Sequence, residues 1–363
     1  MPTKKRRKAA GKEETMPIEK MVLNATDAEA LSDAQAAAAG EFLHPDKARA
    51  NVVGVGTGIK WSKGQPTGEP AMVVLVAQKV AKEHVAKGDL VPSKLEGVQT
   101  DVLAIGNPMA GFDATLSSPT VQTLARRARP AKGGYSVGHV AITAGTLGTC
   151  VYDILPNGTV SPPAHGVGVP PRYYVLSNNH VLANSNDARV GDPILQPGPF
   201  DGGTNPADRI ATLSRFIPIT FAPAVDLPLH RNLVDAAVAE GAFHDLDREI
   251  FWSGPLRGWR PRAKVTVGTL VRKTGRTTNF TVGRITVVNA TVDVGYGAGR
   301  TARFKDQILT TNFSAGGDSG SLVATLDAVA VGLLFAGSPA VTILNQIENV
   351  RALLRVEVAE QVL

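Results

Sequence analysis

Apolar positions recur along this chain in two rhythms, and the change between them divides it. Residues 27–39 are Ala-rich and follow a Thr-x-x-Glu capping box formed by Thr26 and Glu29. Gly40 can close a helix at its C-terminus, so the pattern predicts a helix over 27–39. Apolar runs at 52–59, 71–76 and 98–105 then read as strands. Residues 80–87, ending at Gly88, read as a helix between the last two. The order β, β, α, β suits a small α+β domain at about 48–107, within an N-terminal region spanning 16–107. Gly54, Gly56 and Gly58 lie inside the first strand with no helix after them, which argues against a dinucleotide loop. Lys63-Gly64 and Pro66-Thr67-Gly68 suggest a hairpin turn instead.

From Tyr135 the texture changes to short strands with turn signals between them. Candidates are 140–143, 146–152 and 173–177, then 266–273, 280–288, 290–294, 307–312, 321–324 and 329–335. Gly254, Pro255, Gly258 and Pro261 interrupt the pattern at 246–263. Asn345 and Glu348 make an N-x-x-E cap, and Ile347, Val350, Leu353 and Leu354 a helical stripe. They predict a C-terminal helix at about 346–355. Residues 108–134 are punctuated by Pro108, Gly111, Pro119, Pro130, Gly133 and Gly134 and read as a linker. Its Arg126, Arg127 and Arg129 suit a solvated connection, or a processing site. With 37 Gly and 24 Pro in 363 residues, the chain is expected to be mainly β.

Charge adds little to this. Of a net +6, residues 4–8 (Lys4, Lys5, Arg6, Arg7, Lys8) supply five, so the body is near neutral and no specific nucleic-acid surface is expected. Residues 1–15 read as a disordered basic tail, with a nuclear-localisation signal as the alternative. Cys150 is the one cysteine, so no intrachain disulfide can form, and a reducing, cytoplasmic compartment is expected. Cys150 sits in an apolar run and reads as a buried small residue. No secretory signal is read after the basic run, and no apolar stretch is long enough for a membrane span.

The chemistry gathers at Gly316-Gly317-Asp318-Ser319-Gly320-Ser321. A serine in a glycine turn can be exposed as a nucleophile, and the N–H groups of Gly317 and Ser319 can converge on an oxyanion. Such a serine needs a base with a group to orient it. Ser177-Asn178-Asn179-His180-Val181-Leu182 ends a strand in a polar break followed by a histidine, a rigid position for that base. Between them lie Asp187, Asp192, Asp201, Asp208, Asp226, Asp235, Asp245 and Asp247. Asp235 stands out because it opens a short apolar run of small residues, where a buried carboxylate could fix the imidazole tautomer. The seven histidines show no ligand-like spacing, so no metal and no cofactor are expected.

The order His180, Asp235, Ser319 resembles that of the trypsin-like serine peptidases. The Ser-Asn-Asn-His-Val-Leu run is similar to HtrA-type members. Gly275-Arg276-Thr277-Thr278, Val282-Gly283-Arg284-Ile285 and Gly317-Asp318-Ser319-Gly320 are similar to the α-lytic protease and streptogrisin branch. Asn51-Val52-Val53-Gly54-Val55-Gly56 and Gly68-Glu69-Pro70-Ala71, taken with the histidine segment, resemble cytosolic bacterial proteins related to the plant NARROW LEAF family.

The resemblance implies a chymotrypsin-like double β-barrel over 135–363, preceded by the small α+β domain. Barrel one would be about 135–245 and barrel two about 264–343, with homo-oligomers a further implication. It also implies a serine endopeptidase with a protein or peptide substrate. The S1 base would fall near Phe313, with no acidic residue nearby, so an apolar or small P1 residue is expected. Phe335, Ala336 and Gly337 would pair with the substrate backbone as an added strand. The rival readings are a non-catalytic binding module that keeps the fold, and a latent enzyme that needs activation.

Overall fold

The computed structural model describes residues 18–44, 46, 49–111, 124–142, 145–154, 170, 172–359 and 362–363. The expected basic tail, residues 112–123 of the expected linker, the Thr143 end of one strand candidate and His165 lie outside them.

The N-terminal helix is two helices, Ala25–Ala30 and Ser32–Phe42, joined at Leu31. Its cap is Asn24, whose side chain accepts the Asp27 N–H at 2.8 Å, not Thr26. Gly40 lies inside the second helix rather than after it. Ala34, Ala38 and Phe42 pack on Val55, Met72 and Val74 of the hairpin Val52–Ser62 and Gln65–Val76. That hairpin turns at Lys63 and Gly64, both left-handed at φ 50° and 80°. Val98–Ala104 lies parallel to Gln65–Val76.

The helix expected at 80–87 is absent. Single 3₁₀ turns, Lys82–His84 and Lys87–Asp89, stand there with no buried residue. A short helix draws its stability from burying an apolar face, and this segment has none to bury.

The hairpin also joins the rest of the molecule. Val52–Ser62 pairs antiparallel with Asn279–Gly295, placing Gly54 opposite Val292. A Cβ on Gly56 would stand 2.4 Å from Val287 Cγ1. The glycine run is therefore a close-packed strand.

Six strands of the C-terminal half close into a barrel. The ring runs Leu270–Gly275, Leu322–Thr325, Val329–Gly337, Val341–Gln346, Thr301–Thr311, Asn279–Gly295 and back to Leu270–Gly275. The two strands expected at 280–288 and 290–294 are one strand, irregular in register near Asn289, which has φ 50°. Val341–Gln346 was not anticipated and contains Asn345, so that residue is no helix cap. The helix Ile347–Leu354 starts from Gln346 without a side-chain cap. It buries Ile347, Val350 and Leu354 and leaves Leu353 exposed.

The other barrel follows Ser136–His139, Pro193–Leu195, Arg209–Phe216, Ala237–Gly241, Tyr173–Ser177 and Thr149–Asp153. Gly145–Thr146, just before Thr149–Asp153, pairs back with Ser136–His139 and completes the ring. The strand expected at 140–143 is a turn at 140–142, because the pairing edge ends at His139. The fold is mainly β, a chymotrypsin-like double barrel with a small N-terminal helical and β region.

The barrels share an apolar seam. Val151, Leu176 and Val238 of the first meet Leu322 and Leu333 of the second and Ile347 of the C-terminal helix. Each such side chain contributes about 1.5–3 kcal/mol on burial, so the two walls of the cleft sit on one rigid seam.

Candidate active site

One wall is built around His180. The strand Tyr173–Ser177 ends, and the single turn Asn179–Leu182 follows at once. The Asn178–Asn179 pair at this junction latches the turn. Asn178 Nδ2 donates to the Asp235 carbonyl at 2.7 Å, and Asn179 Nδ2 donates to Asn186 Oδ1 and the Ile217 carbonyl, each at 2.8 Å. The His180 ring is thereby aimed at Asp235, with Nδ1 to Oδ2 at 2.6 Å. The His180 backbone N–H donates to the other carboxylate oxygen at 3.1 Å. Asp235 precedes the strand Ala237–Gly241 and is fully buried.

Two residues that the sequence reading missed complete the hold on Asp235. Tyr296 donates its hydroxyl to Oδ2 at 2.7 Å. Burial first, and then the Asp235 charge, holds this phenol well above its usual pKa, so it stays a donor. Asn345 Oδ1 accepts the Asp235 backbone N–H at 3.0 Å. Tyr296 is 61 residues from Asp235 and Asn345 is 110, so no local spacing could have paired them. The usable signal for Asn345 was a polar residue in an otherwise apolar run.

The other wall is the Ser319 turn. Thr277 Oγ1 donates to the Gly316 carbonyl at 2.6 Å. In a trans peptide the N–H opposes the carbonyl, so the Gly317 N–H points the other way. The Asp318 carbonyl accepts Ser321 Oγ at 2.6 Å and the Ser321 N–H at 3.0 Å, which turns the Ser319 N–H away likewise. Gly317 has φ 90°, and a Cβ there would stand 2.5 Å from Thr277 Oγ1, so only glycine fits. The turn is stitched to the first barrel: the Thr146 N–H donates to the Ser319 carbonyl at 2.7 Å and its hydroxyl to the Gly317 carbonyl at 2.8 Å.

Beneath the turn lies a buried ion pair. Lys273 Nζ is 3.0 Å from Asp318 Oδ2, and both side chains have zero exposure. Asp318 further accepts Thr278 Oγ1 at 2.6 Å and the N–H groups of Thr277, Thr278 and Ala315 at 2.9, 3.1 and 3.1 Å. Desolvation pulls the Lys273 pKa down, against the attraction of Asp318. Lys273 was legible only as a polar residue within an expected strand.

Of the expected site residues, His180 and Asp235 are in direct contact. Ser319 is 5% exposed and stands beside a small groove that Ala336 and Gly337 also line, with Ser314, Ala315 and Met109. His180 Nε2 is buried and has no hydrogen-bond partner among the described residues, Ser319 included. Phe313 and Phe335 do not reach the groove. Phe313 packs with Val271, Ile285 and Val323, and Phe335 packs on Phe304 at 4.8 Å between ring centres. Among the described residues, no three His, Cys, Asp or Glu side chains converge as metal ligands. No helix among them is long and apolar enough to cross a membrane.

Comparison with known proteins adds three findings. The family model for the NARROW LEAF 1 N-terminal domain matches residues 41–105. Among curated proteins, none matches this sequence. Similar solved structures include Thermobifida fusca Protease A at 15% identity and TM-score 0.41, covering 62% of this chain and 96% of that one. The Nocardiopsis protease NAPase follows at 17% and 0.41, covering 62% and 97%. Cellulomonas bogoriensis chymotrypsin stands at 17% and 0.40, covering 62% and 96%. The chain thus resembles a NARROW LEAF 1 N-terminal domain over residues 41–105, and solved structures similar to it include bacterial serine proteases at low identity.

Proposed function

We propose that this chain is a serine endopeptidase. The observation that carries the reading is the buried His180–Asp235 contact at 2.6 Å, in the first barrel, to which the Gly-Asp-Ser-Gly turn is hydrogen-bonded through Thr146. Ser319 Oγ attacks the scissile carbonyl while His180 Nε2 takes its proton. The carbonyl oxygen becomes an oxyanion, held by the N–H groups of Gly317 and Ser319. The C–N bond then breaks as His180 returns the proton to the leaving amine. Water repeats the sequence on the acyl-enzyme and frees Ser319. Asp235 keeps the proton of the resting imidazole on Nδ1 and stabilises the imidazolium. This chemistry needs a peptide or protein substrate and no cofactor. The lone buried Cys150 suits a reducing compartment such as the cytoplasm.

The small groove beside Ser319 supports a small or apolar P1 residue. Cleavage after arginine at rates far above those after leucine would sink that preference.

A fluorophosphonate probe tests the reading. Labelling of the native chain and not of Ser319→Ala is the expected outcome. Loss of Ser319 or His180 should lower kcat about a million-fold. A folded native chain that never labels would favour the second reading, a latent or non-catalytic cleft. That reading has an observation of its own: a strand of this chain, Met109–Ala110, lies in the cleft.

A further inference from the structure

The strand Val329–Gly337 has one edge that matters for the candidate site. Its partner Leu322–Thr325 pairs with it only as far as Leu333. Beyond that point the edge at 336–337 faces the groove beside Ser319. Met109–Ala110 fills this edge, antiparallel, with Ala110 opposite Ala336 and Met109 opposite Gly337. These are the positions at which a substrate strand would add.

The next residue reaches the base. A Cβ on Gly111 would stand 3.8 Å from His180 Cδ2 and 4.0 Å from Nε2. The segment is also tied from behind. The Pro108 carbonyl accepts the Gly295 N–H at 3.0 Å, and Ser338 Oγ donates to the Ile105 carbonyl.

We propose that residues 107–111 are a self-inhibitory strand, an intramolecular occupant of the peptide-binding edge that substrate must displace. The proposal rests on the peptidase reading above and adds its regulation and ligand class. The class is an extended peptide with a small, unbranched residue in front of His180, because glycine is what this chain places there.

A tethered strand acts at an effective concentration of about millimolar, so free peptides compete at a disadvantage. Their apparent affinity falls by the fraction of molecules in which the strand has left. The strand is suited to leave: it pairs over two residues, Met109 and Ala110 are only half-buried, and Gly111 is exposed.

The test loosens the strand and locks it, and reads the labelling rate of Ser319 with a fluorophosphonate probe in the full chain. Ala110→Pro removes an N–H from the pairing strand. The pair Ala110→Cys and Ala336→Cys sets two thiols on directly opposed residues, whose Cα atoms lie about 4.5–5.5 Å apart in an antiparallel ladder, within disulfide reach. The expected result is labelling about tenfold faster for Ala110→Pro, and about tenfold slower for the oxidised pair than for its reduced form.

A folded Ala110→Pro chain with the native melting temperature that labels at the native rate would overturn the proposal. So would a folded cysteine pair that does not cross-link, or one that cross-links without slowing the label. Absence of labelling in every form, reduced pair included, would remove the peptidase reading and the inhibitory role with it. Cross-link yield would then still report where the strand sits, so the two failures remain distinct.

Discussion

The cleft contains two fully buried aspartates, Asp235 and Asp318, held in opposite ways. Asp318 faces the Lys273 ammonium and four further donors, all from the second barrel. Asp235 faces the His180 ring and backbone and the Tyr296 hydroxyl, gathered from both barrels. The first carboxylate is bound to a fixed cation and braces the Ser319 turn. The second meets a residue that can carry a proton or not. On the proposed reading, the partner therefore decides whether a buried carboxylate is scaffold or working group.

Five variants or treatments would break or sharpen that contrast. Asp235→Asn should keep the fold but lower kcat about ten-thousandfold, since the amide favours the wrong His180 tautomer. Steady-state hydrolysis of a peptide substrate would measure it, and a loss under tenfold would place the orienting role elsewhere. Lys273→Met should act on stability instead. It strands the Asp318 charge in the interior and should cost about 3–5 kcal/mol, read as a shift in the urea midpoint. Adding Asp318→Asn to that variant should recover part of the loss, because the two residues are coupled. An unchanged midpoint for Lys273→Met would mean that the pair does not brace the turn.

Tyr296→Phe removes one donor to a charged acceptor, an interaction of about 1.5–3 kcal/mol. We expect kcat to fall about tenfold with KM unchanged, and a rise in KM alone would show that Tyr296 merely shapes the cleft. The smallest effect is a chemical silence. Burial pushes the Cys150 thiol up to about 12 from 9.0. Iodoacetamide at pH 8 should therefore leave the native chain unmodified and alkylate it once unfolded, by intact mass. The sign for stability follows. The neutral thiol's contribution is full below pH 9.0 and is lost as pH rises towards about 12, because only the unfolded chain releases the proton there.

Legibility in the sequence tracked the range of the interaction. Ser319 and His180 stood out because the chemistry proposed for them needs particular neighbours in the chain: glycines around the serine, a polar break before the histidine. Strands such as Tyr173–Ser177 were readable from their apolar runs. The helix at 80–87 was misread because local propensity was not backed by burial. Asn345 was misread because a polar residue before a helix looks like a cap, whatever its side chain bonds.

What the sequence determined by itself was therefore local: a mainly β chain, a Gly-rich serine turn, a histidine at a strand end, and a small-residue run opening on Asp235. Tertiary structure alone decided which groups surround the two carboxylates. It brought Lys273 45 residues along the chain to Asp318, and Tyr296 61 residues to Asp235. It also laid Met109–Ala110 on the edge at Ala336 and Gly337, more than two hundred residues away in sequence. Main-chain pairing and buried polar contacts of this kind depend on closure of the barrels. They leave no periodic trace in the chain, because any residue with a free N–H can join a strand edge and any donor within reach can satisfy a buried oxygen.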